Sequence, residues 1–132
     1  MATNPQPLSI DLVSSGREVF DPTSLLERVS GDRELLRELV DLFAQEYPEM
    51  LSDIESAVKG GNASALQRAG HKMKGSVLQF SANSAGAIAG ALEVMGKNGS
   101  LTGAAEDYLK LRTELASLLE GLKSMVSEDA VS

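Results

Sequence analysis

The chain offers few residues for covalent or metal chemistry. It has one histidine, His71, and no cysteine. Thiolate nucleophiles, disulfide frameworks and thiolate metal sites are therefore excluded together, as is any chemistry needing a pair of imidazoles within the chain. What remains is a single imidazole followed by Lys74 and Gly75. On a helix, positions three and four residues on share its face. A free imidazole titrates near ~6.5, so at cytoplasmic pH it is mostly neutral and a competent nucleophile. A lysine one turn away can neutralise an anion brought to that nitrogen. A glycine on an exposed helix face costs about 1 kcal/mol against alanine, and it gives an incoming group room to approach.

The spacing of apolar residues predicts helices to position this group. Asp21-Pro22 reads as an N-cap with proline at the first helical position, opening a short helix through Leu25, Leu26 and Val29 that Gly31 ends. Asp32 caps a long helix with Leu35, Leu36, Leu39, Val40, Phe43, Tyr47, Met50, Leu51, Ile54 and Val58 at helical spacing. Pro48 falls inside it without a phase break, which predicts a kink and not a strand. Gly60 and Gly61 stop that helix, and Asn62 caps a third with the stripe Leu66, Ala69, Met73, Val77 and Phe80. A turn over residues 81–84 leads to a fourth helix bearing Ala85, Ile88, Ala89, Leu92 and Met95, with Gly96, Asn98 and Gly99 as its stop. Ser100 or Thr102 would cap the last helix, where Tyr108, Leu111, Leu115, Leu118, Leu122 and Met125 recur by threes and fours. The predicted fold is all-α, an antiparallel up-and-down four-helix bundle with an additional short N-terminal helix.

At ~100° per residue, His71 lies roughly 150° from the buried stripe of its helix, so the imidazole is expected on the surface. Beside it on that face are Gln67, Arg68, Lys74, Gly75 and Leu78.

The 132 residues suit a single domain, and 42% hydrophobic residues with three Phe, two Tyr and no Trp imply a small-aliphatic core. The net charge is −7, which argues against nucleic-acid backbones and anionic membranes as partners. Charge is unevenly spread: from Ser56 to Leu92 there is no acidic residue, and Lys59, Arg68, Lys72 and Lys74 make that stretch positive. A basic patch on an acidic protein suggests an acidic partner. No segment approaches the ~18 apolar residues of a membrane span, and residues 1–15 lack the features of a signal peptide, so a cytoplasmic protein is expected. Gly70 to Ser76 lacks the lysine and preceding strand of a phosphate-binding loop. The stretch around His71 lacks the carboxylates a metal site would need, so no metal is expected. Gly86-x-x-x-Gly90 reads as close helix packing within the bundle.

The run His71-Lys72-Met73-Lys74-Gly75-Ser76 resembles the H-x-x-K-G-small signature of histidine-containing phosphotransfer (HPt) domains. The resemblance extends to the Phe20-Asp21 lead-in, the Gly31-Asp32 opening of a long helix containing Phe43, and the Leu92-Glu93 pair, covering roughly Phe20 to Met125. One departure is Ser81, where such domains often carry glycine. The resemblance implies that His71 accepts and donates a phosphoryl group between aspartates of response-regulator receiver domains, without kinase activity of its own. Possible partners then include a hybrid sensor histidine kinase. It implies no cofactor in this chain, Mg²⁺ being supplied by the receiver.

Within that reading Nε2 attacks, Lys74 offsets phosphoryl charge and Gly75 permits close approach. Glu93, about 95° from the apolar centre of its helix, could accept a hydrogen bond from Nδ1–H and orient His71. Gln67, Arg68 and Leu78 are expected to dock the partner, with Leu78 as an exposed apolar anchor. The alternative is a helical-bundle adaptor that docks on a receiver or another partner and is never phosphorylated. The expected organisation is a loose N-terminal segment or linker over residues 1–17, the bundle over 18–126 and a tail over 127–132, with a monomer as the expected state. The sequence leaves open the signal, the kinase and the cognate receiver, and whether the chain stands alone or is part of a hybrid kinase.

Overall fold

A computed structural model describes residues 19–131; the segment 1–17 set apart in the sequence lies outside the described residues. The chain forms α1 (Pro22–Arg28), α2 (Arg33–Lys59), α3 (Ala63–Leu78), α4 (Asn83–Asn98) and α5 (Ala104–Val131), with no strand among the described residues. Helices α2, α3, α4 and α5 close a ring of neighbours, α2 on α3, α3 on α4, α4 on α5 and α5 on α2. This is the four-helix bundle, with α1 added at its N-terminal side.

Local chemistry places most helix starts. The side chains of Asp21, Asp32 and Asn62 accept hydrogen bonds from the backbone N–H groups of Ser24, Leu35 and Ala65 at 3.2, 2.9 and 3.0 Å. Each satisfies a donor that the first helical turn would leave unpaired. Pro48 sits exposed inside an unbroken α2, on the solvent side where a missing backbone donor is least costly. Gly99 ends α4 in the left-handed conformation, φ 74°.

Several boundaries differ from the sequence reading. Helix α4 begins at Asn83, inside the expected turn over 81–84. Gly96 is a buried residue within α4 and not its stop: a Cβ there would run into the backbone of Ala63 and Gln67 on α3. Helix α5 starts at Ala104, beyond both Ser100 and Thr102, and continues to Val131. Residues 127–131, expected as a tail, thus extend the last helix. Phe80 is fully buried but lies just past the end of α3, and Leu35 is 40% exposed although it shares the apolar spacing of α2.

The core is the aliphatic one expected from composition. Leu25, Leu36, Ile54, Leu66, Met73, Leu92, Leu111, Leu115, Leu118 and Leu122 are completely buried, and Phe43 packs on Phe80 with ring centroids 5.1 Å apart. Burying each such leucine contributes about 1.5–3 kcal/mol.

The turn between α3 and α4 is tied to α1. Ser81 has φ +57°, in the left-handed region that favours glycine, and its side chain is buried. Its Oγ accepts from Arg28 Nε at 3.0 Å and hydrogen-bonds Ser24 Oγ at 3.0 Å, while its carbonyl accepts from Asp21 N at 3.3 Å. The hydroxyl therefore offsets, through α1, the strain of a non-glycine residue at this position.

Candidate functional site

The site is built where α3 and α4 run antiparallel at unusually close range. Glycine sets that range. A Cβ on Gly70 would stand 2.8 Å from Glu93 N and 3.0 Å from Ala89 O, and one on Gly86 would meet Leu78 Cδ2 at 2.5 Å. With Gly96 against Ala63 and Gln67, the seam is in backbone contact at one end and side-chain contact at the other.

Across this seam His71-x-x-Lys74 on α3 faces Gly90-x-x-Glu93 on α4. Glu93 bridges the pair: Oε2 lies 2.8 Å from His71 Nδ1 and Oε1 lies 2.8 Å from Lys74 Nζ. The alkyl stem of Lys74 crosses α4 at Gly90, where a Cβ would lie 3.3 Å from its Cδ. The imidazole is 71% exposed, whereas the Glu93 side chain is 20% exposed. Glu93 is thus a largely covered side chain whose two carboxylate oxygens each hold a neighbour on α3.

Electrostatics follow from the bridge. The Lys74 hydrogen bond, chiefly, holds the Glu93 carboxyl below its ordinary value of 4.5, with help from the His71 hydrogen bond and both charges and against the effect of desolvation. An ionised carboxylate only accepts hydrogen bonds, so Nδ1 carries the proton and donates it. The lone pair then resides on Nε2, the nitrogen not engaged by Glu93.

The remaining sequence candidates fall in different surroundings. Gly75 is exposed with open space where a Cβ would be, so nothing within the chain requires glycine there. Arg68 is exposed, and with Gln67, His71 and Glu93 it lines a shallow hollow of about 400 Å³. Leu78, expected as an exposed anchor, is half-buried because its side chain rests on Gly86. The basic stretch is also less uniformly positive than its sequence: Lys59 pairs with Glu55 at 3.2 Å and Lys74 with Glu93.

Sequence reasoning missed Gly70, and it read Gly90, with Gly86, as close helix packing without linking it to the site. The signal was present in their spacing, since Gly90 lies one helical turn before Glu93 just as His71 lies one turn before Lys74. Recognising it requires the register between the two helices.

The family model of the Hpt domain matches residues 38–123. The chain belongs to the Hpt domain family. The match covers the greater part of α2, all of α3 and α4, and most of α5, leaving α1 outside it. No curated protein and no solved structure gave a match. Membership in the Hpt family implies histidine phosphotransfer within two-component phosphorelays, the domain acting as a phosphoryl carrier rather than a turnover catalyst. Among the described residues no helix of this Hpt domain is long and apolar enough to cross a membrane.

Proposed function

We propose that this Hpt domain is a cytoplasmic phosphorelay intermediate in which His71 takes a phosphoryl group from the phospho-aspartate of one response-regulator receiver domain and delivers it to another. The observation that carries this reading is the 2.8 Å contact between His71 Nδ1 and Glu93 on an imidazole that is otherwise exposed. It leaves Nε2 unprotonated and accessible from solvent. In the accepting step the Nε2 lone pair forms the N–P bond as the P–O bond to the aspartyl carboxyl breaks, and that carboxylate departs with the electron pair. The Nδ1 proton stays in place. The ring becomes a cation, which the Glu93 carboxylate offsets, and the reverse step regenerates the neutral imidazole.

Mg²⁺ is supplied by the receiver, this chain holding no cofactor, and the domain works as a monomer. A hybrid sensor kinase is a candidate upstream partner, supplying its own receiver. Gly75 supports the docking side of the reading, because the glycine leaves open space beside His71 that the fold itself does not use.

The test is transfer from a panel of phosphorylated receiver domains to the wild-type protein and to His71→Gln. The expected result is acid-labile label on the wild type and none on the variant. Binding of a receiver to both proteins alike, with no transfer to either, would instead establish a non-phosphorylated adaptor.

A further inference from the structure

The bridge at Glu93 raises a question of charge. A phosphoryl group in transit carries negative charge on its peripheral oxygens and needs a cation beside it. Lys74 stands in the expected place, one turn from His71, yet its Nζ is already committed to Glu93 at 2.8 Å and its stem is seated on Gly90. Drawing it away would remove one of the two neighbours that hold the Glu93 carboxylate, at the moment when that carboxylate must steady the phosphorylated ring. Arg68 is in the opposite situation. It is exposed, one turn before His71 on α3, and its guanidinium Nη1 donates at 2.8 Å to the Ser64 hydroxyl, a neutral partner. Among the described residues no carboxylate forms an ion pair with it. Arg68 borders both the hollow of the imidazole and a groove on the α2 side, whereas Lys72 borders that groove alone.

Resting on the phosphorelay reading above, we propose a division of labour between the two cations: Arg68 neutralises the phosphoryl group at Nε2, and Lys74 is a positioning residue that acts through Glu93. A guanidinium offers several donors in a planar fork matched to phosphoryl oxygens, and exchanging one hydroxyl partner for a phosphoryl oxygen costs it little. Lys74 keeps Glu93 ionised and fixed, and so keeps the proton on Nδ1.

The test uses phosphoramidate as the donor, because a small molecule has no protein surface to dock. Ammonia leaves as the N–P bond to His71 forms. Phosphorylation is followed by phosphorus NMR on the wild type, Arg68→Gln, Arg68→Lys and Lys74→Gln, with the imidazole nitrogen chemical shifts recorded for each. Arg68→Gln is expected to react about 10-fold more slowly with unchanged imidazole shifts, and Arg68→Lys to recover most of the rate. Lys74→Gln is expected to move the imidazole shifts and raise the Glu93 titration point. Reaction of Arg68→Gln with phosphoramidate at the wild-type rate would overturn the proposal, and slow transfer from a receiver alone would then make Arg68 a docking residue. Imidazole shifts and Glu93 titration unchanged in Lys74→Gln would overturn the positioning role. Equal phosphoryl uptake by His71→Gln would instead bring down the phosphorelay reading, and this proposal with it.

Discussion

The backbone nitrogen of Glu93 lies 2.8 Å from where a Cβ on Gly70 would stand, so the residue before the histidine sets how closely the carboxylate can approach it. The obstacle is backbone, which cannot swing aside as the end of a side chain can. Gly70→Ala would gain about 1 kcal/mol of helix propensity, but the required separation of α3 and α4 costs more. The expected result is net destabilisation of about 1–3 kcal/mol by urea denaturation, with slower phosphotransfer as Glu93 moves away from Nδ1.

Gly75→Ala separates fold from function in the opposite sense. A Cβ there meets nothing within 4 Å, so the helix gains about 0.5–1 kcal/mol and the melting temperature rises by roughly 4 °C per kcal/mol. Transfer from a receiver is nonetheless expected to slow, since the methyl group occupies space the partner uses. A stabilised variant with undiminished transfer would show that the partner does not approach at this position.

Removing the acceptor on Nδ1 should affect the chemistry directly. Glu93→Ala is expected to lower the transfer rate by about 10–100-fold, as loss of an orienting partner does for ligating histidines, with Glu93→Gln falling between the two. Single-turnover transfer from a phosphorylated receiver measures this. The imidazole nitrogen shifts should show the Nδ1–H tautomer losing its dominance in Glu93→Ala.

The same carboxylate makes a signed prediction with pH. Because its folded-state pKa is lowered, Glu93 contributes stability that is present above its ordinary value of 4.5 and is lost as pH falls through the folded value. The stability difference between wild type and Glu93→Gln should therefore be constant above that value and shrink below it. Thermal melts of both proteins across that range check the sign.

Ser81 tests the link between α1 and the α3–α4 turn. Ser81→Ala keeps the unfavourable φ of +57° and removes the bonds to Arg28 and Ser24, for an expected loss of about 1–2 kcal/mol. Ser81→Gly removes the same bonds but relieves about 1 kcal/mol of left-handed strain, so it should lie closer to wild type. Chemical denaturation of the two variants gives the order.

Much of this molecule follows from local rules. The caps at Asp21, Asp32 and Asn62 were legible because a capping side chain reaches only its own first turn, and the surface position of His71 because helical rotation relative to a buried stripe is fixed by backbone geometry. The same arithmetic failed wherever the deciding atom belongs to another helix. Gly96 carries the composition of a helix stop yet is a contact with Ala63 and Gln67; Leu78 points away from the stripe of α3 yet is covered by α4 because Gly86 leaves room for it. For the site, sequence alone singled out the one imidazole, its exposed face and the candidates around it. Only the tertiary structure decided that Glu93 divides its two oxygens between His71 and Lys74, because that bridge depends on the register and close spacing of α3 and α4, which no single helix encodes.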